Sequence, residues 1–143
     1  MFLREKDLRE KFWKNYNGKG RALMHQFECP VRNGCIDLLT VEKYQEHYQL
    51  NAFEFKLDDI KKVLLQAEEN MEYVNRSWIV VPIEKKRIIE DRYLSTCKQK
   101  GIGIMYVEEG GRWVLGNRAS YRTNITLSQE TEDFILGFKI KGY

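Results

Sequence analysis

The chain has 143 residues, of which 43% are hydrophobic and 13% aromatic, and its formal net charge is +3. This length and composition predict one globular domain over residues 1–143 and exclude a disordered chain. No apolar run approaches the roughly 20 residues of a membrane helix, and the charged start offers no signal-peptide core. We therefore expect a cytoplasmic protein with no membrane partner, and the mild net charge neither demands nor excludes nucleic acid.

The chain begins with a predicted helix and a hairpin. One face of the helix is marked by apolar side chains four residues apart, which are Leu8, Phe12 and Tyr16. A strand is predicted over residues 23–31, interrupted at Pro30, and Asn33-Gly34 forms a tight turn into a second strand. Residues 42–51 are polar and are predicted to form a connection without regular structure.

A third strand and an amphipathic helix follow. The strand is predicted over residues 52–57. Apolar positions then recur with the period of a helix, at Ile60, Val63, Leu64, Ala67, Met71 and Val74. Asp58 or Asp59 is the expected N-cap of this helix. The next strand, over residues 77–81, comes after a helix and is therefore expected to run parallel to the third strand.

The remainder of the chain predicts a helix, a last core strand and a less regular tail with a short helix. The helix covers residues 84–100 and ends in the order expected of a C-terminus, with Lys98, Lys100 and Gly101. The last core strand is predicted over residues 102–107, Gly110-Gly111 is expected to turn the chain into residues 112–115, and Ser128 is expected to cap a short helix that ends at Phe138. Together these elements predict an α/β (α+β) fold with a mixed central β-sheet flanked by helices.

Three charged side chains stand in apolar strand sequence. Asp37 lies inside the run 34–41, where an unpaired buried carboxylate is costly and needs a partner or a cation. Glu54 and Lys56 alternate with Phe53 and Phe55, so they are expected to share one strand face while the aromatic rings face the core. A lone Glu-x-Lys triplet is more often a surface ion pair, and the informative feature is its position after Asp37.

The helix after residue 57 carries a polar stripe beside its apolar one. Gln66, Asn70 and Tyr73 are spaced at i, i+4 and i+7. This stripe is either solvated surface or a polar face that leans over the strand end carrying Glu54 and Lys56.

The order Gly-x-x-Asp, Glu-x-Lys and a helical glutamine resembles the motif order of the PD-(D/E)XK nuclease superfamily, which has the restriction-endonuclease-like αβββαβ core. The resemblance covers residues 1–108. It departs from the pattern at Ile36, where many members have proline, and at Asn70, where some members have tyrosine. The resemblance implies a nuclease that hydrolyses phosphodiester bonds, most simply a DNA endonuclease in restriction, repair or recombination.

The resemblance also implies a metal site. Mg²⁺, with Mn²⁺ as a substitute, is expected to bind Asp37, Glu54 and the backbone carbonyl of Phe55. Lys56 is expected to stabilise the attacking hydroxide or the phosphate in the transition state, and Gln66 to hold Lys56 or a metal-bound water. A further acidic ligand is open among Glu28, Glu5 and Glu10.

Basic residues interleaved with aromatic ones suit a phosphate backbone, and they equally suit an ordinary solvated surface. The residues singled out on this basis are Lys19, Arg21, Tyr73 and Arg112. The expected partner is DNA, with RNA as an alternative, and duplex cleavage by so small a domain predicts a homodimer. The competing hypothesis is a catalytically silent nucleic-acid-binding or assembly module with the same fold.

Overall fold

The computed structural model describes residues 1–137, which form five α-helices around a six-stranded mixed sheet. The elements in chain order are α1 (Glu5–Tyr16), β1 (Ala22–Arg32), β2 (Gly34–Tyr44), β3 (His47–Phe55), α2 (Ile60–Asn70), β4 (Arg76–Pro82), a 3₁₀ turn (Ile83–Lys85), α3 (Lys86–Arg92), α4 (Leu94–Lys100), β5 (Gly103–Val107), β6 (Trp113–Asn117) and α5 (Gln129–Ile135). The predicted α+β class and its αβββαβ element order are confirmed.

The strands lie in the sheet in the order in which they occur in the chain, from β1 at one edge to β6 at the other. The first three strands form an antiparallel meander. β3, β4 and β5 run parallel, and β6 returns antiparallel to β5. The expected parallel pairing of β3 with β4 is therefore confirmed, and β2, β3 and β4 occupy the middle of the sheet.

One face of the sheet is covered by α1. The apolar stripe of this helix is fully buried at Leu8 and Phe12, and the Phe12 ring lies 5.7 Å from Phe53 and 5.6 Å from Phe55. Each buried aromatic ring removes a large apolar area from water, and tilted ring pairs of this kind add to that gain. Since Phe53 and Phe55 point to α1, the side chain of Glu54 between them points to the opposite face.

The opposite face of the sheet is covered by α2, α3, α4 and α5. The α2 stripe packs on β4 and β5, together with Ile89 and Cys97 of the following helices. Phe134 of α5 packs against a separate cluster from β1, β2 and β3. The carboxylate of Asp59 accepts a hydrogen bond from the backbone N–H of Lys62 at 3.1 Å, so Asp59 is the N-cap of α2.

The prediction for residues 42–51 was wrong. β2 continues to Tyr44, β3 begins at His47, and Gln45 and Glu46 alone form the turn between them. Gln45 adopts φ = 56°, a left-handed conformation that Gly or Asn would have signalled in the sequence. The long β2–β3 hairpin therefore replaces the expected polar connection.

Two other element predictions need correction. β1 continues through Pro30 as one edge strand, but its pairing with β2 shifts register between Cys29 and Arg32, so the expected interruption is an irregularity in the ladder and not the end of the strand. The helix predicted over residues 84–100 is divided into a 3₁₀ turn, α3 and α4, with a break at Tyr93. Its expected C-terminus is confirmed, since Gly101 caps α4 with φ = 83°.

Residues 118–128 form an irregular strap that leads from β6 to α5, which packs beside β1 at the other edge of the sheet. Backbone N–H groups of the strap donate to Gly101 at 3.0 Å, Asn75 at 2.9 Å and Glu72 at 2.7 Å. Ser128 caps α5 as predicted. Phe138, the predicted end of this helix, lies outside the described residues.

Candidate active site

Asp37 and Glu54 lie side by side on the central strands β2 and β3. Leu38 pairs with Phe53, so antiparallel register places Asp37 opposite Glu54. The backbone N–H of Asp37 donates to Oε2 of Glu54 at 3.3 Å, and the backbone N–H of Phe55 donates to Oδ2 of Asp37 at 2.9 Å. The structure thus brings together the two carboxylates that the sequence singled out, on backbone that is hydrogen-bonded on both sides.

The Glu54 side chain is fully buried, and one of its oxygens has no hydrogen-bond partner among the described residues. That atom is Oε1. Burial, and then the negative charge of Asp37, raise the pKa of Glu54 to about 8. Burial also raises the pKa of Asp37. Two adjacent carboxyls, one fully and one partly buried, both disfavour ionisation, and a bound cation relieves this electrostatic cost.

The other oxygen of Glu54 is held by polar side chains on α2 and β1. Nδ2 of Asn70 donates to Oε2 at 2.8 Å, and Nη2 of Arg32 lies 3.7 Å from the same oxygen. Arg32 Nε also donates to Oδ1 of Asn70 at 2.6 Å, and both side chains are buried. One carboxylate oxygen is therefore fixed in position, while the other is buried without a partner among the described residues. Polar side chains that orient a carboxylate in this way are also found around metal ligands.

Gln66 stands one turn before Asn70 on α2 and is half-buried. The amide that contacts Glu54 is that of Asn70. Asn70 belongs to the same polar stripe as Gln66, so its spacing on the helix already indicated a side chain that could lean over Glu54. Arg32 carried no signal, because it reaches Glu54 and Asn70 only through the pairing of β1 with β2 beside the Asn33-Gly34 turn.

Lys56 follows directly after β3, and its backbone N–H donates to the carbonyl of Val80 at 3.3 Å. Its Nζ atom lies 3.4 Å from Oε2 of Glu5 in α1. Since β3 ends at Phe55, strand alternation does not extend to Lys56, and its ammonium group lies on the side of the sheet where α1 begins. Its positive charge is close enough to Asp37 to oppose the rise in the pKa of that carboxyl caused by burial.

A pocket of about 250 Å³ opens beside Asp37, lined by Glu5, Lys6, Arg9, Glu28, Asp37 and Phe55. Glu28 stands opposite Asp37 between the register pairs Phe27–Leu38 and Cys29–Ile36, and it adopts φ = 51°. A left-handed non-glycine residue in a strand is strained, and such residues cluster at functional sites.

Glu5, Glu28 and Glu10, the three candidates for a further acidic metal ligand, differ in how close they lie to Asp37. Glu5 and Glu28 line this pocket, whereas Glu10 is exposed and lies 3.9 Å from Nζ of Lys6. Glu5 is close to Lys56, and Glu28 lies 4.0 Å from Arg9. Glu5 and Glu28 are therefore better placed than Glu10 to approach a cation bound near Asp37.

The donor set fits a magnesium ion. Mg²⁺ is usually bound by one or two carboxylates and keeps several waters, so Asp37, Glu54 and the Phe55 carbonyl form a sufficient set of oxygen ligands. Within residues 1–137, no group of three or more His, Cys, Asp or Glu side chains is arranged so that it could hold a metal ion. The buried, unpartnered Oε1 of Glu54 is the observation that supports the fit.

The residues expected to bind nucleic acid lie in turns and connections outside the helices and strands. The guanidinium of Arg21 lies 4.6 Å from the Tyr16 ring and 5.2 Å from the Trp113 ring, near the end of α1. Lys19 is exposed in the following turn, and Arg112 is exposed and lies 3.3 Å from Glu108. Tyr73 follows α2 and packs against the cluster that contains Phe134.

Comparison with protein-family models and with curated proteins gives no match to this chain. Among residues 1–137, no helix has both the length and the apolar character required to cross a membrane.

Replacing Asn70 by Ala is expected to weaken Mn²⁺ binding by roughly 10- to 100-fold, because Glu54 loses the amide that orients it. The same change leaves Arg32 Nε without its acceptor, and we expect the free energy of unfolding to fall by about 1–3 kcal/mol. Calorimetric titration with Mn²⁺ and denaturant unfolding measure the two effects. Asn124→Ala, at an exposed position, is the matched control. An unchanged Mn²⁺ affinity in folded Asn70→Ala would contradict the assigned role.

Proposed function

We propose that this protein is a Mg²⁺-dependent nuclease of the PD-(D/E)XK type, with DNA as its substrate. The observation that carries the proposal is the pairing of Asp37 with Glu54, in which a fully buried carboxylate keeps one oxygen without a partner. The αβββαβ element order supports the same conclusion. Placing a fully buried acid beside a partly buried one lowers stability, and a bound divalent cation would offset that cost.

Each residue of the site has a role in this mechanism. Asp37 and Glu54 would hold the metal through their ionised carboxylate oxygens. When bound, Mg²⁺ supplies Lewis-acid activation of water and neutralises charge on the phosphate oxygens. Asn70 and Arg32 hold Glu54 in place. Lys56 stabilises the attacking hydroxide or the charge that builds on the phosphate, and Glu5 positions its ammonium group.

The pocket beside Asp37 supplies a docking site for the phosphate backbone. Lys6 and Arg9 stand on α1 at its edge and oppose the charge of the acidic side chains. Basic side chains at this position attract a polyanion, whereas the buried acids alone would repel it. The cleaved bond would then lie between Lys6 and Arg9 of α1 and the Asp37 carboxylate.

Incubation with supercoiled plasmid tests the proposal. We expect cleavage with Mg²⁺ or Mn²⁺ and none with EDTA, and we expect Lys56→Ala to lower the rate by roughly 100-fold or more because transition-state charge loses its ammonium partner. Lys98→Ala, an exposed lysine on α4, is the control. Linear product would indicate two cooperating copies, and nicked product a single site. Cleavage that persists at full rate in Lys56→Ala would reject this site.

A catalytically silent nucleic-acid-binding module is the second candidate, and the position of Arg32 favours it. Arg32 already places a buried positive charge 3.7 Å from Glu54. A carboxylate that is neutralised from within the protein needs no metal. Salt-dependent DNA binding in a gel-shift assay, without cleavage in either metal, would select this function.

A further inference from the structure

A second and larger pocket lies at the far end of α1 from the acidic site. It has a volume of about 400 Å³ and is lined by residues of β2 to β6 together with Tyr16 and Arg21. Trp78 and Met105, which belong to the core beneath α1, form part of its apolar wall. The volume is in the range of small-molecule sites, and a mixed polar and apolar lining is typical of them.

Arginine side chains dominate the charge of this pocket. Arg21, Arg76 and Arg118 line it together with Lys43, and the single acid among the lining residues is Glu42. Two of the arginines are held by aromatic rings. Arg21 lies against Tyr16 and Trp113, and Arg76 lies 5.8 Å from the Tyr44 ring and 5.4 Å from the Tyr121 ring. Guanidinium groups fixed in this way bind an anionic oxyacid with little loss of side-chain entropy.

Polar groups lie at the base of the same pocket. Glu42 is buried and accepts hydrogen bonds from the Tyr16 hydroxyl at 2.8 Å and the Thr40 hydroxyl at 2.7 Å. Asn51, on the neighbouring strand, is 1% exposed, and its Nδ2 atom makes no well-aligned hydrogen bond within residues 1–137. Its amide nevertheless lies beside Glu42, where burial raises the pKa of the carboxyl and the Asn51 amide opposes that rise. A buried amide donor beside a carboxylate acceptor presents both kinds of partner that the edge of a nucleobase requires.

We propose that this pocket binds a nucleotide. The phosphate is held by Arg21 and Arg118, which stand at the exposed rim. The base enters over Trp78 and Trp113, where a planar ring gains stacking, and its edge meets Asn51 and Glu42. A simple anion site would need the arginines alone, and a simple apolar site would need only the tryptophans. A ligand that combines a flat ring with a phosphate uses both.

The nucleotide has two sources that share this chemistry. It is either a free mononucleotide or the phosphorylated terminal nucleotide of a strand. α1 runs from Glu5 at the acidic site to Tyr16 at this pocket, a separation of roughly 16 Å along the helix axis. A strand end in the pocket would therefore lie several nucleotides from a bond cut beside Asp37. The binding itself does not depend on cleavage at the acidic site.

Calorimetric titration of the full chain in EDTA tests the proposal, because it removes any contribution from a metal site. The probes are the four 5′-deoxynucleoside monophosphates, deoxyadenosine and inorganic phosphate. We expect at least one monophosphate to bind about tenfold or more tightly than the nucleoside or phosphate alone. Arg21→Ala and Arg118→Ala each change an exposed side chain, and each is expected to weaken binding by about tenfold or more.

Two control variants keep this test separate from the proposed nuclease. Arg87→Ala, at an exposed position on α3, and Glu54→Gln should both bind the nucleotide as the natural chain does. A 5′-phosphorylated oligonucleotide that competes with the mononucleotide, when its 5′-hydroxyl form does not, identifies a strand end as the source. Failure of the oligonucleotide to compete identifies the free nucleotide.

Three results would overturn the proposal. The first is the absence of binding for every mononucleotide at millimolar concentration by a chain that remains folded by circular dichroism. The second is nucleotide affinity that survives both arginine substitutions. The third is equally tight binding of inorganic phosphate, which would reduce the pocket to a general anion site.

Discussion

Glu54→Gln is expected to reduce metal-dependent cleavage by at least about 10³-fold, because the amide cannot supply the anionic oxygen that Oε1 offers. The substitution preserves the size of the side chain, and the Gln carbonyl can still accept the hydrogen bond that Asn70 now donates to Oε2. The loss of activity should therefore occur without loss of the fold. Initial rates of plasmid relaxation at saturating Mg²⁺ measure the effect.

Glu46→Gln is the matched control for this change, since Glu46 stands exposed in the β2–β3 turn and should retain full activity. Circular dichroism and thermal melting of Glu54→Gln establish that it is folded. A folded Glu54→Gln protein that cleaves at the rate of the natural chain would show that Glu54 is not a metal ligand, and the nuclease proposal would then lose the observation on which it rests.

The second large effect is expected in thermal stability as a function of pH. Without metal, the pKa of Glu54 lies at about 8 in the folded protein, above its ordinary value of 4.5. The folded state therefore holds a proton that the unfolded chain has released between these values. The contribution of Glu54 to the free energy of unfolding should therefore be greatest below pH 4.5. It should fall as the pH rises from 4.5 to 8 and level off above pH 8.

Addition of Mn²⁺ should reverse this loss, because the ion binds only the ionised carboxylates of the folded state. At 100 times its dissociation constant, a ligand of this kind raises stability by about 3 kcal/mol, or roughly 10 °C in the melting temperature of a domain of this size. The increase should be large at pH 8 and small at pH 5.5, where Mn²⁺ competes with the bound proton.

Differential scanning calorimetry at the two pH values measures this stabilisation independently of catalysis. Asp37→Asn and Glu54→Gln should each remove most of the Mn²⁺-induced increase, and Glu54→Gln should also flatten the pH dependence seen without metal. A Mn²⁺-induced increase of the same size in both variants would place the ion elsewhere on the protein.

The sequence predicted most of the fold because local signals agreed with the tertiary structure. The apolar stripe of α2, its cap at Asp59 and the turn at Asn33-Gly34 each indicate the element that forms. The prediction for the β2–β3 hairpin was wrong because Gln45 adopts a left-handed conformation without Gly or Asn to announce it. Its polar strand ends also lack the alternation that marks a half-buried strand.

The candidate site also contains residues that local sequence signals could predict and residues that they could not. Asp37 and Glu54 could be paired from sequence because each is an acid within an apolar strand, and adjacent antiparallel strands bring them into contact. Their buried partners could not be predicted. Arg32 and Asn70 are 38 residues apart in the chain, and their hydrogen bond depends on how α2 packs over the turn between β1 and β2. Such contacts follow from tertiary packing, which no short motif encodes.

The order of the strands has a consequence for how the chain acquires its structure during synthesis. Because every strand pairs with its predecessor, each new strand can add to a growing edge as soon as it leaves the ribosome. The strap departs from this order, because it leads the chain from β6 back to α5, which packs beside β1. Phe134 packs on the apolar side chains of β1 and β2. The strands that are synthesised first therefore keep part of their apolar surface exposed to water until residues near 134 have been synthesised. A nascent chain halted shortly after β6 should therefore be a substrate for chaperones that bind exposed apolar strands.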